Sequence, residues 1–117
     1  RFFNDNMRHN ALLIRGNTLH VFWTQAGQAP ERIYLSTIEM QGDWMNWLES
    51  EPVEVLRPET DWEGANLENA PSRRGHIDEP VNQLRDPTIY EEDGEIYLLY
   101  SVSGEHGIAI SRLEFEE

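Results

Sequence analysis

Apolar and polar positions alternate along this chain in short runs separated by glycine-bearing turns, the period-2 pattern of β-strands. Ala11 to Ile14 is one such run, followed by the turn Gly16-Asn17 and a second run from Leu19 to Thr24. Gly27 marks the next turn, Ile33 to Ile38 the third run, and Pro52 to Leu56 a fourth. The order then returns near the C-terminus: Thr88 to Glu91, the turn Asp93-Gly94, Ile96 to Ser101, a turn with Gly104 and Gly107, and Ile108 to Leu113. Asp-Gly between two strands is a strong hairpin signal, because the tightest hairpin turns need positive φ at their centre. The pattern predicts an all-β chain of antiparallel β-meanders.

The two groups of runs are copies of one another. Arg8 to Thr24 aligns without a gap on Arg85 to Ser101, at an offset of 77 residues. Ile33 to Glu39 aligns on Ile108 to Glu114 at an offset of 75, so one turn is two residues shorter in the second copy. Apolar matches apolar and turn matches turn, as in repeat architectures. The expected organisation is a single unit over 1–117: a first meander at 8–57, a connector at 58–84, and a second meander at 85–117 without an outer fourth strand. Both second strands are apolar on both sides, with Leu19, Val21 and Trp23 opposing His20 and Phe22, and Ile96, Leu98 and Tyr100 opposing Tyr97 and Leu99. A sheet with one wet face should alternate instead, so these meanders are expected to lie between neighbouring sheets. Stacked antiparallel sheets made by radial repetition are the blades of a β-propeller. The connector carries Pro58, Pro71, Pro80, Gly64 and Gly75 and is too long to be idle, so a packing or functional role is expected, with Trp44, Trp47 and Trp62 as its anchors.

Composition narrows the chemistry. At 117 residues the chain has the length of one small domain. All nine basic residues are arginine, and there is neither lysine nor cysteine. Schiff-base and phosphate-loop lysines, thiol nucleophiles, disulfides and cysteine-bound zinc are thereby excluded. A net charge of −13 argues against nucleic acid or an anionic membrane surface as partner. The acidity is regional: five arginines and seven acids precede Pro58, whereas four arginines and fifteen acids follow from there. No apolar run approaches the roughly 18 residues of a membrane span. The start, Arg1-Phe2-Phe3-Asn4, shows no initiator Met and no secretory pattern, as expected of a soluble chain that is processed or cut from something longer.

One segment carries a family likeness. Arg85-Asp86-Pro87-x-Ile89-x-x-x-Asp93-Gly94-x-x-Tyr97-Leu98-Leu99-Tyr100-Ser101 resembles the blade-opening pattern of five-bladed propeller glycosidases related to glycoside hydrolase family 43. The resemblance implies that the two meanders are two C-terminal blades, with carboxylate acid/base chemistry in the complete propeller. Such a propeller needs roughly 250 to 300 residues, and its relatives draw an aspartate base, a second aspartate and a glutamate acid from three blades. Two blades cannot supply three blades' residues, so no competence in glycoside hydrolysis is expected of this chain alone. It is expected to join missing blades, or to close a propeller by homo-oligomerisation as a non-catalytic carbohydrate-binding or interaction module. A β-sandwich with a coincidental repeat is the third reading.

Topology independently nominates a site. In an up-and-down meander the start of the first strand and the end of the second share a rim, which also holds the turn before the third. Arg8, His9, Arg85 and Asp86 should therefore gather with Glu31, Arg32, Glu105 and His106, with His9 and Asp86 facing a central cavity. Arginines and carboxylates hydrogen-bond hydroxyls, and carboxylate pairs held about 5 to 10 Å apart perform glycosyl transfer, so a carbohydrate or polyol is the expected ligand. Asp86 is the candidate catalytic carboxylate, or else a turn cap or an arginine's partner. Arg8 and Arg85 recur at equivalent positions, which fits a second role as buried braces between blades. His9, His20, His76 and His106 lack zinc-ligand spacing, and neither metal nor cofactor is implied.

Overall fold

The computed structural model describes residues 2–115; Arg1, Glu116 and Glu117, at the ends of the expected unit, lie outside the described residues. The first sheet runs β1 (Met7–Arg15), β2 (Thr18–Gln25), β3 (Ile33–Glu39) and β4 (Val53–Leu56), each antiparallel to its neighbour in chain order. The second runs β5 (Arg85–Glu92), β6 (Glu95–Val102) and β7 (Gly107–Leu113), again an antiparallel meander. Two short 3-10 turns, Trp44–Asn46 and Asp61–Glu63, are the helical elements among the described residues. None is long or apolar enough to cross a membrane.

The repeat is preserved down to its irregularities. Asp93 and Gly94 both take positive φ (51° and 80°), the geometry of a type I′ hairpin, and Gly16 takes φ 62° in the matching turn. Each first strand breaks register near its start, between Met7 and Asn10 in one copy and, one residue further along the repeat, between Arg85 and Thr88 in the other. The bulges leave Arg8 and His9 in one copy, and Asp86 and Pro87 in the other, outside the regular ladder.

The sheets pack face to face with β5 against β1 and β2. Ala11, Leu13, Phe22 and Ile33 from the first sheet meet Leu98, Tyr100 and Val102 from the second, with Leu84 of the connector buried among them. His20 is buried on this side too, its ring 5.0 Å from that of Phe115, which reaches across after β7 and also carries the Arg15 guanidinium on its face. The opposite side of β2 has its own cluster: Val21, Trp23 and Ile38, under Phe2, Phe3, Met7 and Trp47. The strand β2 is thus covered on both faces, as its composition predicts. The strand β6 is not: Leu98, Tyr100 and Val102 are buried, while Tyr97 and Leu99 face away from the first sheet and are only partly covered. Nothing among the described residues lies beyond them to complete a sandwich, and neither sheet closes on itself.

The connector is a seam between the two sheets. Gly27 donates to the Ser72 carbonyl and Ser72 donates back to Gln28. Leu84 donates to Glu31, Ser103 to Glu63, and Gly104 to Gln83. Buried Glu63 accepts the backbone N–H groups of Glu59 and Thr60 and the Thr60 hydroxyl, closing a capping box on its turn. Gly64 follows at φ 100°, where a Cβ would collide with the Val81 carbonyl oxygen. Trp62 and Trp44 do not anchor this segment. Both lie exposed, because the connector is fastened by backbone bonds that leave its aromatic rings on the outside; only Trp47 packs, and it does so on the first sheet.

Phe22 is fully buried at the contact between the sheets. Phe22→Ala should therefore destabilise the chain by about 3–5 kcal/mol, read from urea denaturation. A cost below about 1 kcal/mol, the range of ordinary surface changes, would mean that the sheets do not share this core.

Candidate functional site

The rim predicted from topology exists, and at its base is a run of alternating charges. Glu31 is completely buried, placed by a backbone bridge to Gln83 and by the Leu84 N–H bond to its own carbonyl. Its carboxylate lies 3.1 Å from Arg8 Nε and 3.9 Å from Arg85 Nε. Arg85, 1% exposed, continues the run to Glu105 at 3.5 Å. The order Arg8, Glu31, Arg85, Glu105 links both copies of the repeat through buried and partly buried ion pairs. Arg85 is well satisfied, donating to Gln83 Oε1 and to the carbonyls of Gly75 and Arg73. Arg8 donates to the Arg73 carbonyl, yet its Nη2 and both Glu31 oxygens make no in-line hydrogen bond. Glu31 is held by charge rather than by directed bonds, and burial pushes the Arg8 guanidinium pKa down despite that partner.

Above this run, His9 and Asp86 form a pair. They are the same position in the two copies, 77 residues apart, and they touch: His9 Nε2 lies 3.2 Å from Asp86 Oδ1. His9 Nδ1 accepts from the Asp86 backbone N–H and faces the Thr24 hydroxyl at 3.5 Å. These partners assign the proton to Nε2, so a neutral imidazole donates to the carboxylate. Burial pushes the His9 pKa down, and nearby Arg8 and Arg85 add to that against the opposing pull of Asp86 and Glu31. The other Asp86 oxygen accepts from Ser101 Oγ. Thr24 and Ser101 are themselves equivalent, so each copy sets a strand-two hydroxyl behind its strand-one rim residue.

Two cavities adjoin this rim. One, of about 240 Å³, is lined by Arg8, His9, Arg74, Gly75, His76 and Glu105. The other, of about 650 Å³, lies within the connector, shares Arg74 and His76 as walls, and reaches Arg85. The second falls within the usual size of small-molecule sites and the first suits a smaller polar group. Glu105 is pushed below the usual carboxylate pKa, chiefly by the Ile77 backbone N–H and then by Arg85, so it is a poor general acid. No group of three or more His, Asp or Glu side chains among the described residues is arranged to hold a metal ion.

Of the eight residues nominated from sequence, six converge: Arg8, His9, Glu31, Arg85, Asp86 and Glu105. Arg32 does not, since it turns outward along the sheet edge and pairs with Glu54 at 3.1 Å. His106 is directed instead to the Asp78 carbonyl, 2.6 Å away. Arg32 stands one residue on from Glu31, just before β3, where alternation points it the other way, and His106 sits in the turn before β7, which carries its ring to the connector. Sequence reasoning missed Thr24 and Ser101, although the 77-residue offset links them, and Arg74 and His76, which no periodic signal marks because the connector carries none.

The chain is similar to an uncharacterized protein of Acanthamoeba polyphaga mimivirus, with 45% identity over 108 residues. The match covers 92% of this chain but 30% of that protein, so the chain spans less than a third of the curated relative's length. No family model and no solved structure matches.

Removing the charge of Glu31 leaves Arg8 buried without its counter-ion. Glu31→Gln should cost about 3–5 kcal/mol in urea denaturation, and a change under 1 kcal/mol would show that the run of charges does not brace the sheets. A pH effect follows as well. Burial lowers the pKa of both His9 and His20, so the unfolded chain takes up protons first as pH falls below about 6.5. Stability should therefore decline from pH 7 to 5. Glu54, pushed down to about 2 by its hydrogen bond to Arg57 and then by Arg32, adds its own loss only below the ordinary carboxylate pKa. The urea midpoint should flatten across pH 7 to 5 in a His9→Gln, His20→Gln double variant; an unchanged slope would refute the assignment.

Proposed function

We propose that this chain is a two-blade part of a glycosidase-like β-propeller whose rim binds a neutral polyol or carbohydrate, and that by itself it does not hydrolyse one. The observation that carries this reading is the contact between His9 and Asp86. Equivalent residues of successive repeats meet when the first strands of both converge on one axis, as innermost blade strands do. The chain order supports the same reading. Each sheet is a complete meander before the next begins, whereas sandwiches of the immunoglobulin type pass strands between sheets by Greek-key connections.

The ligand class follows from the groups on display. His9, Asp86 and Ser101 offer donors and acceptors at a partly exposed surface, with Thr24 buried behind His9 and a small cavity of arginine and histidine side chains beside them. The charges below them are largely matched in pairs, which suits a neutral ligand rich in hydroxyls. Hydrolysis needs a carboxylic acid and a carboxylate on opposite sides of the bond. Asp86 has both oxygens engaged, Glu31 is sealed from solvent, and Glu105 is held as the anion. The rim has recognition chemistry without a general acid.

Titration with a panel of neutral oligosaccharides, followed by heteronuclear NMR, should shift the amides of His9, Asp86 and Ser101. Asp86→Ala should weaken that binding at least tenfold, while aryl glycosides release no nitrophenol. Absence of binding across the panel would refute the ligand, and turnover lost on Asp86→Asn would refute the non-catalytic reading.

A further inference from the structure

The two sheets are stacked head to tail. The face that the first sheet presses on the second is made of Ala11, Leu13, Phe22 and Ile33. Moved by the repeat offsets, these positions become Thr88, Tyr90, Leu99 and Ile108, on the far side of the second sheet. Register confirms that they share one face: Thr88 pairs with Leu99 and Leu99 with Ile110, while Ser101 pairs with Ile108. The Tyr90 and Tyr97 rings lie 6.3 Å apart on the same side. This face is uncovered, with Ile108 80% and Ile110 58% exposed.

The converse holds at the other end of the stack. Ile89, Leu98 and Tyr100 of the second sheet, which meet the first, correspond to Leu12, Val21 and Trp23 on the far side of the first sheet. Phe2, Phe3, Met7 and Trp47 cover Val21 and Trp23, but Leu12 and Ile14 on β1 stay bare, at 57% and 63% exposed. In the existing contact β5 lies on β1, so β1 is the strand that a repetition of that contact would use. One chain therefore carries both halves of an interface it already makes internally, the second-sheet half uncovered and the first-sheet half open along β1 at Leu12 and Ile14. Exposed apolar positions clustered on one sheet face mark an interaction surface, and a contact between unlike faces closes into a ring or propagates.

We propose that the open face of the second sheet, centred on Leu99, Ile108 and Ile110, docks on Leu12 and Ile14 of a second copy of this chain, and that the repeated contact closes copies into a ring. The proposal rests on the blade reading of the two sheets but not on the ligand assigned to the rim. Two or three copies would bring four or six sheets around one axis, within the range of known propellers. Each junction between copies would set the strand-one starts of neighbouring sheets together, extending the rim of His9 and Asp86 around the axis.

Sedimentation equilibrium of the 117-residue chain tests this directly. The expected result is one discrete assembly of two or three copies, weakened at least tenfold by Ile108→Arg and equally by Leu12→Arg, while circular dichroism and the urea midpoint of each variant's monomer hold. Mixing the two variants should restore pairing, because each keeps the face that the other lacks. A folded wild-type monomer would overturn the proposal and leave a sheet from a longer chain as the occupant. Assembly insensitive to Ile108→Arg, or a mixture that stays monomeric, would overturn it too. Oligosaccharide binding by NMR reads the rim separately, so failure here and failure of the ligand assignment remain distinguishable.

Discussion

Much of this structure depends on one buried carboxylate. Glu31 sits between Arg8 of the first strand and Arg85 of the fifth, without solvent and without a directed hydrogen bond to either. Such an arrangement is a weak source of net stability, because desolvation of the ions consumes much of their attraction. Its value is positional. A lone charge in that interior would be far more costly than the triad, so the starts of β1 and β5 are held near the turn that carries Glu31. Docking the sheets in another register would strand at least one of these charges.

Consequences for the rim follow. With β1 and β5 pinned at their starts, the residue after each arginine is brought to the seam between the sheets, and His9 meets Asp86. Matching bulges turn both positions out of the ladder, and matching hydroxyls, Thr24 and Ser101, stand behind them. The connector seals the underside: its carbonyls at Arg73 and Gly75 take the Arg8 and Arg85 protons that Glu31 leaves free. A segment without regular structure thus completes the polar core, and its polar composition reflects that task.

The hydrophobic terms are distributed unevenly for a related reason. The first sheet is covered on both sides of β2, by the second sheet and by the N-terminal phenylalanines, whereas the second sheet is covered on one side. Its far face repeats the apolar positions that the first sheet buries. Repeat architectures place this demand on every unit, since no sheet of the series satisfies both of its faces alone.

Strand number, order and turns were legible in the sequence because they depend on local alternation and on glycine or aspartate at positive φ. All seven strands lie where the pattern places them; six are longer by one to five residues in total, and β4 starts one residue later than expected, at Val53. Six of eight rim residues were legible too, because the repeat equates His9 with Asp86 and Arg8 with Arg85. Arg32 and His106 were not, since which way a residue next to a turn points depends on where the sheet edge ends. The exposure of Trp62, the opening of one face of β6, and the part played by Arg74 and His76 also required the fold. Alternation along a strand records which faces are apolar; only the packed neighbours decide whether those faces are covered.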